Sequence, residues 1–108
     1  MNGHYVLALS TFPDAETAAK VARELVTGRF IACANLMPSV QSFYLWKDKL
    51  EESGEVLALF KLTADRYSEF ETRLHALHPY DVPEIIRLDI SAGSADYLRW
   101  IGESCALQ

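Results

Sequence analysis

The 108-residue sequence predicts an α+β fold, an antiparallel sheet organised around a long central hairpin with helices packed against it. Two apolar runs carry this reading, Phe30 to Trp46 and Glu55 to Thr63. The first has apolar residues on both parities, as in a strand covered on both faces, and the second is short and continuous around Val56 to Phe60. Between them, Lys47-Asp48-Lys49 and Glu51-Glu52-Ser53-Gly54 read as a hairpin loop. The third observation is symmetry: each run is flanked by a helical pattern, and each helix by a further short strand.

Taken in order, His4 to Leu9 is an apolar strand that ends in the turn Ser10-Thr11-Phe12-Pro13. Asp14 is placed to cap the following helix, since its carboxylate can accept from free amides at the positive end of the helix dipole. Ala15, Ala18, Ala19, Ala22, Leu25 and Val26 make that helix's apolar face, small enough for close approach to a sheet, and Gly28 supplies the stop. After the hairpin, Thr63 is the expected cap of a second helix whose apolar positions are Tyr67, Phe70, Leu74 and Leu77. Pro79 ends it, because proline disfavours helical backbone in the residue before it. Tyr80 to Glu84 should be extended, and Ile85 to Ile90 alternates as a fourth strand. Gly93 turns the chain, and Ser94 caps a last amphipathic helix bearing Tyr97, Leu98, Ile101 and Cys105.

The order strand, helix, strand, strand, helix, strand, helix is that of a ferredoxin-like split βαβ sandwich with an extra C-terminal helix. Right-handed crossovers place two helices on one face of the sheet and leave the other open. An open apolar sheet needs a cover, from the last helix or from other subunits. Phe43, Tyr44, Leu45 and Trp46, crowded at one strand end, favour oligomerisation.

Composition sets the class. Half the residues are hydrophobic, enough for one domain spanning residues 1–108 to bury a core. A net charge of -5 with scattered basic residues argues against nucleic-acid or anionic-membrane surfaces. No apolar stretch approaches the roughly 20 residues needed to cross a bilayer, and no basic segment precedes Tyr5 to Leu9 as in a signal peptide. The expected compartment is the cytoplasm, with Cys33 and Cys105 as free thiols. Catalytic motifs are missing: no Walker loop, no paired-cysteine zinc pattern and no glycine-flanked nucleophilic serine. The reading is a binding protein and not an enzyme.

Several residues carry potential chemistry. His75 and His78 stand three apart, on one helical face, and suit Cu²⁺ or another divalent cation through imidazole nitrogen. The alternative is an exposed His75 and a His78 that caps the helix C-terminus. Cys33 is a soft metal ligand by type, or a small core residue among alanines. Lys61 lies in an apolar strand and needs a partner if buried, with Glu84 as the candidate acid, either as a structural ion pair or as part of a ligand site. Tyr80 and Trp46 suit the wall of an intersubunit cleft or a subunit interface.

Five blocks, in order, resemble the CutA family of divalent-cation tolerance proteins: Thr11-Phe12-Pro13-Asp14, Ala32-Cys33-Ala34-Asn35 with Pro38, Ser42-Phe43-Tyr44-Leu45-Trp46, Lys61-Leu62-Thr63, and His78-Pro79-Tyr80-Asp81-Val82-Pro83-Glu84-Ile85-Ile86. Tyr97-Leu98-Arg99-Trp100-Ile101 agrees as well. The resemblance covers essentially the whole chain and implies a ferredoxin-like subunit in a tight homotrimer, a shape shared with PII signalling proteins. It also implies a role in copper or divalent-cation tolerance without an established reaction. In some bacterial relatives the proposed copper ligands are a cysteine and two adjacent histidines, and those positions here are Ser10, Leu77 and His78. Asp48 stands where the family usually has glycine. Two readings follow: a tolerance protein that binds metal weakly, with His78 and His75 foremost, or a trimeric sensing or scaffold module holding a small ligand or partner protein in its intersubunit clefts.

Overall fold

A computed structural model describes residues 4–107. Its elements are β1 (Tyr5–Phe12), α1 (Ala15–Thr27), β2 (Cys33–Trp46), β3 (Lys49–Thr63), a 3₁₀ turn at Ala64–Arg66, α2 (Tyr67–Leu77), β4 (Ile86–Ile90) and α3 (Ala95–Cys105). The strands form one antiparallel sheet in the order β2-β3-β1-β4, which is the expected ferredoxin-like arrangement.

Strand alternation divides the sheet into two faces. Val6, Ala8, Ser10 and Phe12 of β1, with Val56, Ala58, Phe60 and Leu62 of β3, are buried on one face. The helices α1 and α2 lie there: Phe70 of α2 meets Phe60 edge-on at 5.4 Å, and Ala18, Val21 and Leu25 of α1 join the same core. On the other face, the side chains of Tyr5, Leu7 and Leu9 stand beside Ile90, Leu88 and Ile86 of β4. There α3 packs across one end, with Gly102 against the Tyr5 ring and Tyr97 against Lys61. The last helix therefore covers part of the second face, and Ile86, Leu88 and Met37 stay exposed.

The caps behave as their chemistry dictates. Asp14 accepts from the Thr17 amide at 2.7 Å and Ser94 from the Tyr97 amide, each relieving a free donor of the first turn. Thr63 stands at the predicted boundary but makes no side-chain capping bond. Gly28 closes α1 with ordinary backbone angles, and Arg29 takes the left-handed turn at φ 63°. Glycine is needed at 28 for space, since a Cβ there would lie 2.8 Å from the Phe30 ring.

The largest departure from expectation is the hairpin. Glu51 to Gly54 is strand, and β2 and β3 run together to a two-residue turn at Lys47-Asp48. Both turn residues have positive φ, 52° and 64°, the geometry whose twist matches that of the flanking strands. Pro38 and Ser39 sit at a bulge between Met37 and Val40, where a missing donor does little harm. β1 reaches only Val56, so the outer half of the hairpin projects as a two-stranded ribbon. The sequence pattern suggested a first run covered on both faces, but β2 is an edge strand and Phe43 to Trp46 are exposed. No described helix is long and apolar enough to cross a membrane.

Candidate functional site

The residues singled out by sequence fall into two groups. The first lies where α2 ends against β1. Pro79 forces His78 out of the helix into an extended conformation, with its amide still bonded to the Leu74 carbonyl. The ring turns inward, 7% exposed, and stacks on Phe12 with centroids 4.4 Å apart. Its Nδ1 accepts from the Tyr80 backbone N–H at 3.1 Å, so the proton sits on Nε2, which donates to the Thr11 carbonyl at 2.8 Å. Burial holds the imidazole below its ordinary pKa and His75 adds to this, outweighing the Thr11 carbonyl and the Glu55 carboxylate, which favour the charged ring.

Tyr80 extends the cluster. Its ring lies 4.8 Å from that of His78, and its hydroxyl donates to Glu55 Oε2 at 2.7 Å. Burial, then the Glu55 carboxylate, pushes the phenol's pKa well up, so the hydroxyl keeps its proton and remains a donor. His75 stays exposed on the last turn of α2.

The second group lies on the other sheet face. Half-buried Lys61 donates to the Tyr97 hydroxyl at 3.2 Å, with its Nζ 5.4 Å from the centre of that ring. Cys33 is its cross-strand partner, half-buried at the start of β2, and its thiol donates to Asn35 Oδ1 at 3.6 Å. Glu84 is exposed, and the ion pairs among the described residues do not join it to Lys61.

Distances along β3 keep the proposed cleft residues apart within one chain. Glu55, which holds Tyr80, precedes Lys61 by six positions, about 20 Å of strand. Trp46 pairs with Lys49 at the ribbon tip, about 40 Å from Lys61 along the strand, in a molecule 48 Å long. Lys61, Tyr80 and Trp46 can therefore line one cleft only if different copies contribute them. Among the described residues no three His, Cys, Asp or Glu side chains gather as a metal site.

Sequence reasoning missed Glu55, Thr11, Asn35 and Tyr97 as partners. Glu55 had a signal, a carboxylate at the entry to an apolar run; Thr11 had none, because it acts through its backbone carbonyl.

Comparison with known proteins places this geometry. The family model described as CutA1 divalent ion tolerance protein matches residues 6–104. The divalent-cation tolerance protein CutA of Pyrococcus horikoshii is 46% identical over 98 residues, which span 91% of this chain and 95% of that protein. The crystal structure of CutA1 from Ehrlichia chaffeensis superposes with a TM-score of 0.94 at 29% identity, covering 99% of this chain and 100% of the other. A CutA structure from Archaeoglobus fulgidus, described as a periplasmic divalent cation tolerance protein, gives a TM-score of 0.91 at 28% identity, over 94% and 99% of the two chains.

Proposed function

The chain belongs to the CutA1 divalent ion tolerance protein family, and from that premise we propose that it is a homotrimeric, cytoplasmic, non-enzymatic protein of divalent-cation tolerance that responds to copper. The observation that carries the assembly is the second sheet face, where Ile86 (47% exposed), Leu88 (49%) and Met37 (41%) remain open beside α3. Neighbouring copies are the cover such a surface calls for, with Tyr44, Leu45 and Trp46 of the ribbon near the contact. Light scattering on a size-exclusion peak should give three times the chain mass of 12.2 kDa. A monomer mass at micromolar concentration would refute the assembly. Cell fractionation tests the compartment, and recovery from a periplasm, as described for the Archaeoglobus relative, would overturn it.

Divalent-cation binding in this reading is weak, with exposed His75 as the accessible imidazole and half-buried Cys33 as a separate soft donor. Calorimetry with Cu²⁺ should give an affinity weaker than about micromolar, reduced further by His75→Ala. Submicromolar binding untouched by that substitution would mean that the wrong side chains were chosen.

Lys61 favours a second reading, a cleft that takes an anionic small ligand or a partner's carboxylate. The residue is half-buried on an apolar face, and its ammonium, at the exposed end, has a phenol hydroxyl as its bonded partner in the chain, which leaves donor capacity for an acid. Glu84 of a neighbouring copy is the candidate within the assembly. Binding of a metabolite without metal, abolished by Lys61→Met, would favour this reading over the first.

A further inference from the structure

The resemblance implies copper at the positions of Ser10, Leu77 and His78, and the residues present do not fit that metal. Ser10 is fully buried in the core, and its hydroxyl is a poor ligand for Cu²⁺ in place of a thiolate. Leu77 has no donor atom. His78 has a donor ring with both nitrogens already engaged, one by a backbone carbonyl and one by a backbone amide. A metal could take either nitrogen only by orphaning the Tyr80 amide or the Thr11 carbonyl at a nearly buried position.

We propose that His78 is a clasp and not a ligand: its neutral ring, protonated on Nε2, ties the segment after α2 to the end of β1 and sets the position of Tyr80 beside Glu55. The inference is independent of whether a cation binds elsewhere on the protein. Three contacts define the clasp. Phe12 stacks on one side of the ring, the Thr11 carbonyl fixes its orientation, and the Tyr80 amide is held two residues on, as an Asx turn would hold it. Tyr80 then reaches across to Glu55 on β3, so that one imidazole links the ends of β1, α2 and the projecting ribbon. No other acceptor for the Tyr80 amide is needed.

Ring ¹⁵N resonances of the full-length protein at about pH 7.5, where an unperturbed imidazole is neutral, test the tautomer directly. A hydrogen-bearing Nε2 and a bare Nδ1 on His78 are expected, and in a graded titration with Cu²⁺ these signals should fade only after those of His75. A proton on Nδ1, or loss of the His78 signals before those of His75, would overturn the proposal. The clasp itself is tested by exchange of the Tyr80 amide. His78→Asn, which keeps an acceptor for that amide, should preserve its protection within about threefold, whereas His78→Ala should reduce it about tenfold. Equal protection in the two variants would mean that the ring does not hold Tyr80. If His78→Ala does not fold, the tautomer and the copper response of the unaltered protein still decide the matter.

Discussion

Arg66 offers the sharpest test of how the α1–β2 connection is held. It is a buried arginine whose Nε donates to the Arg29 carbonyl at 3.2 Å, whose guanidinium carbon lies 5.1 Å from the Phe30 ring centre, and whose NH1 meets Glu69. Arg29 is the left-handed residue after α1, and its own guanidinium donates to the Ser104 carbonyl on α3, so Arg66 fixes a strained corner that touches three helices. Truncation to alanine removes a charge-assisted hydrogen bond worth about 1.5–3 kcal/mol. It also removes a cation–π contact of about 0.5–1 kcal/mol. Glu69 is 60% exposed, so its ion pair adds less than about 1 kcal/mol. The expected loss for Arg66→Ala is therefore about 3 kcal/mol, and Glu69→Ala should lose well under half of that. Guanidinium unfolding at one fixed protein concentration measures both, since association would otherwise shift the midpoint. The reasoning fails if Arg66→Ala costs less than about 1 kcal/mol, or if Glu69→Ala costs as much as Arg66→Ala.

Other outcomes follow from single features of the chain. Asp48→Gly should stabilise the protein by about 0.5–1 kcal/mol, because it relieves a left-handed residue in the ribbon turn, and a lower thermal midpoint would contradict the turn geometry. His78 has a depressed pKa, so the unfolded chain binds its proton more readily than the native protein does. Its contribution to stability is complete above about pH 6.5 and declines as pH falls below that toward the folded value. Unfolding free energies measured across this range should slope upward with pH, and the slope should flatten in His78→Asn. If Lys61 and Glu84 meet across a subunit boundary, Lys61→Met should weaken assembly by about 3 kcal/mol if the pair is buried, or by less than about 1 kcal/mol if exposed. Combining it with Glu84→Gln should then recover part of any loss, and strictly additive effects on the association constant would show that the two do not interact.

The sequence was most legible where structure is local. Asp14 and Ser94 act as caps because the signal for a cap lies within four residues, and the alternation of β1 and β3 reports a burial pattern with a period of two. The outer half of the hairpin was illegible for a physical reason. Its strand residues Glu51 to Gly54 are polar and pair with β2 alone, beyond the reach of β1, and its turn has no glycine to announce left-handed backbone. At the candidate site, His78 was legible as a helix end beside Pro79, but its partners are main-chain groups that no side-chain pattern encodes. Lys61 was legible as a cation needing a partner. The partner found within the chain is Tyr97, on a helix whose position across the open face depends on the completed sheet.

The edge strands differ in a way that bears on aggregation. β4 is five residues long and carries Arg87 and Asp89, a short border already studded with charge. β2 runs from Cys33 to Trp46 without a single Asp, Glu, Lys or Arg, and beyond its bulge the outer backbone faces solvent with aromatic neighbours. Natural sheets guard long borders with lysines or prolines, and here Pro38 with its bulge interrupts the ladder only near the middle. The guard is thus one-sided. An extended segment seeking a backbone to pair with meets charge at β4 and an undefended template at β2, so the outer stretch of that strand is where a stray chain would nucleate misassembly whenever it is left uncovered.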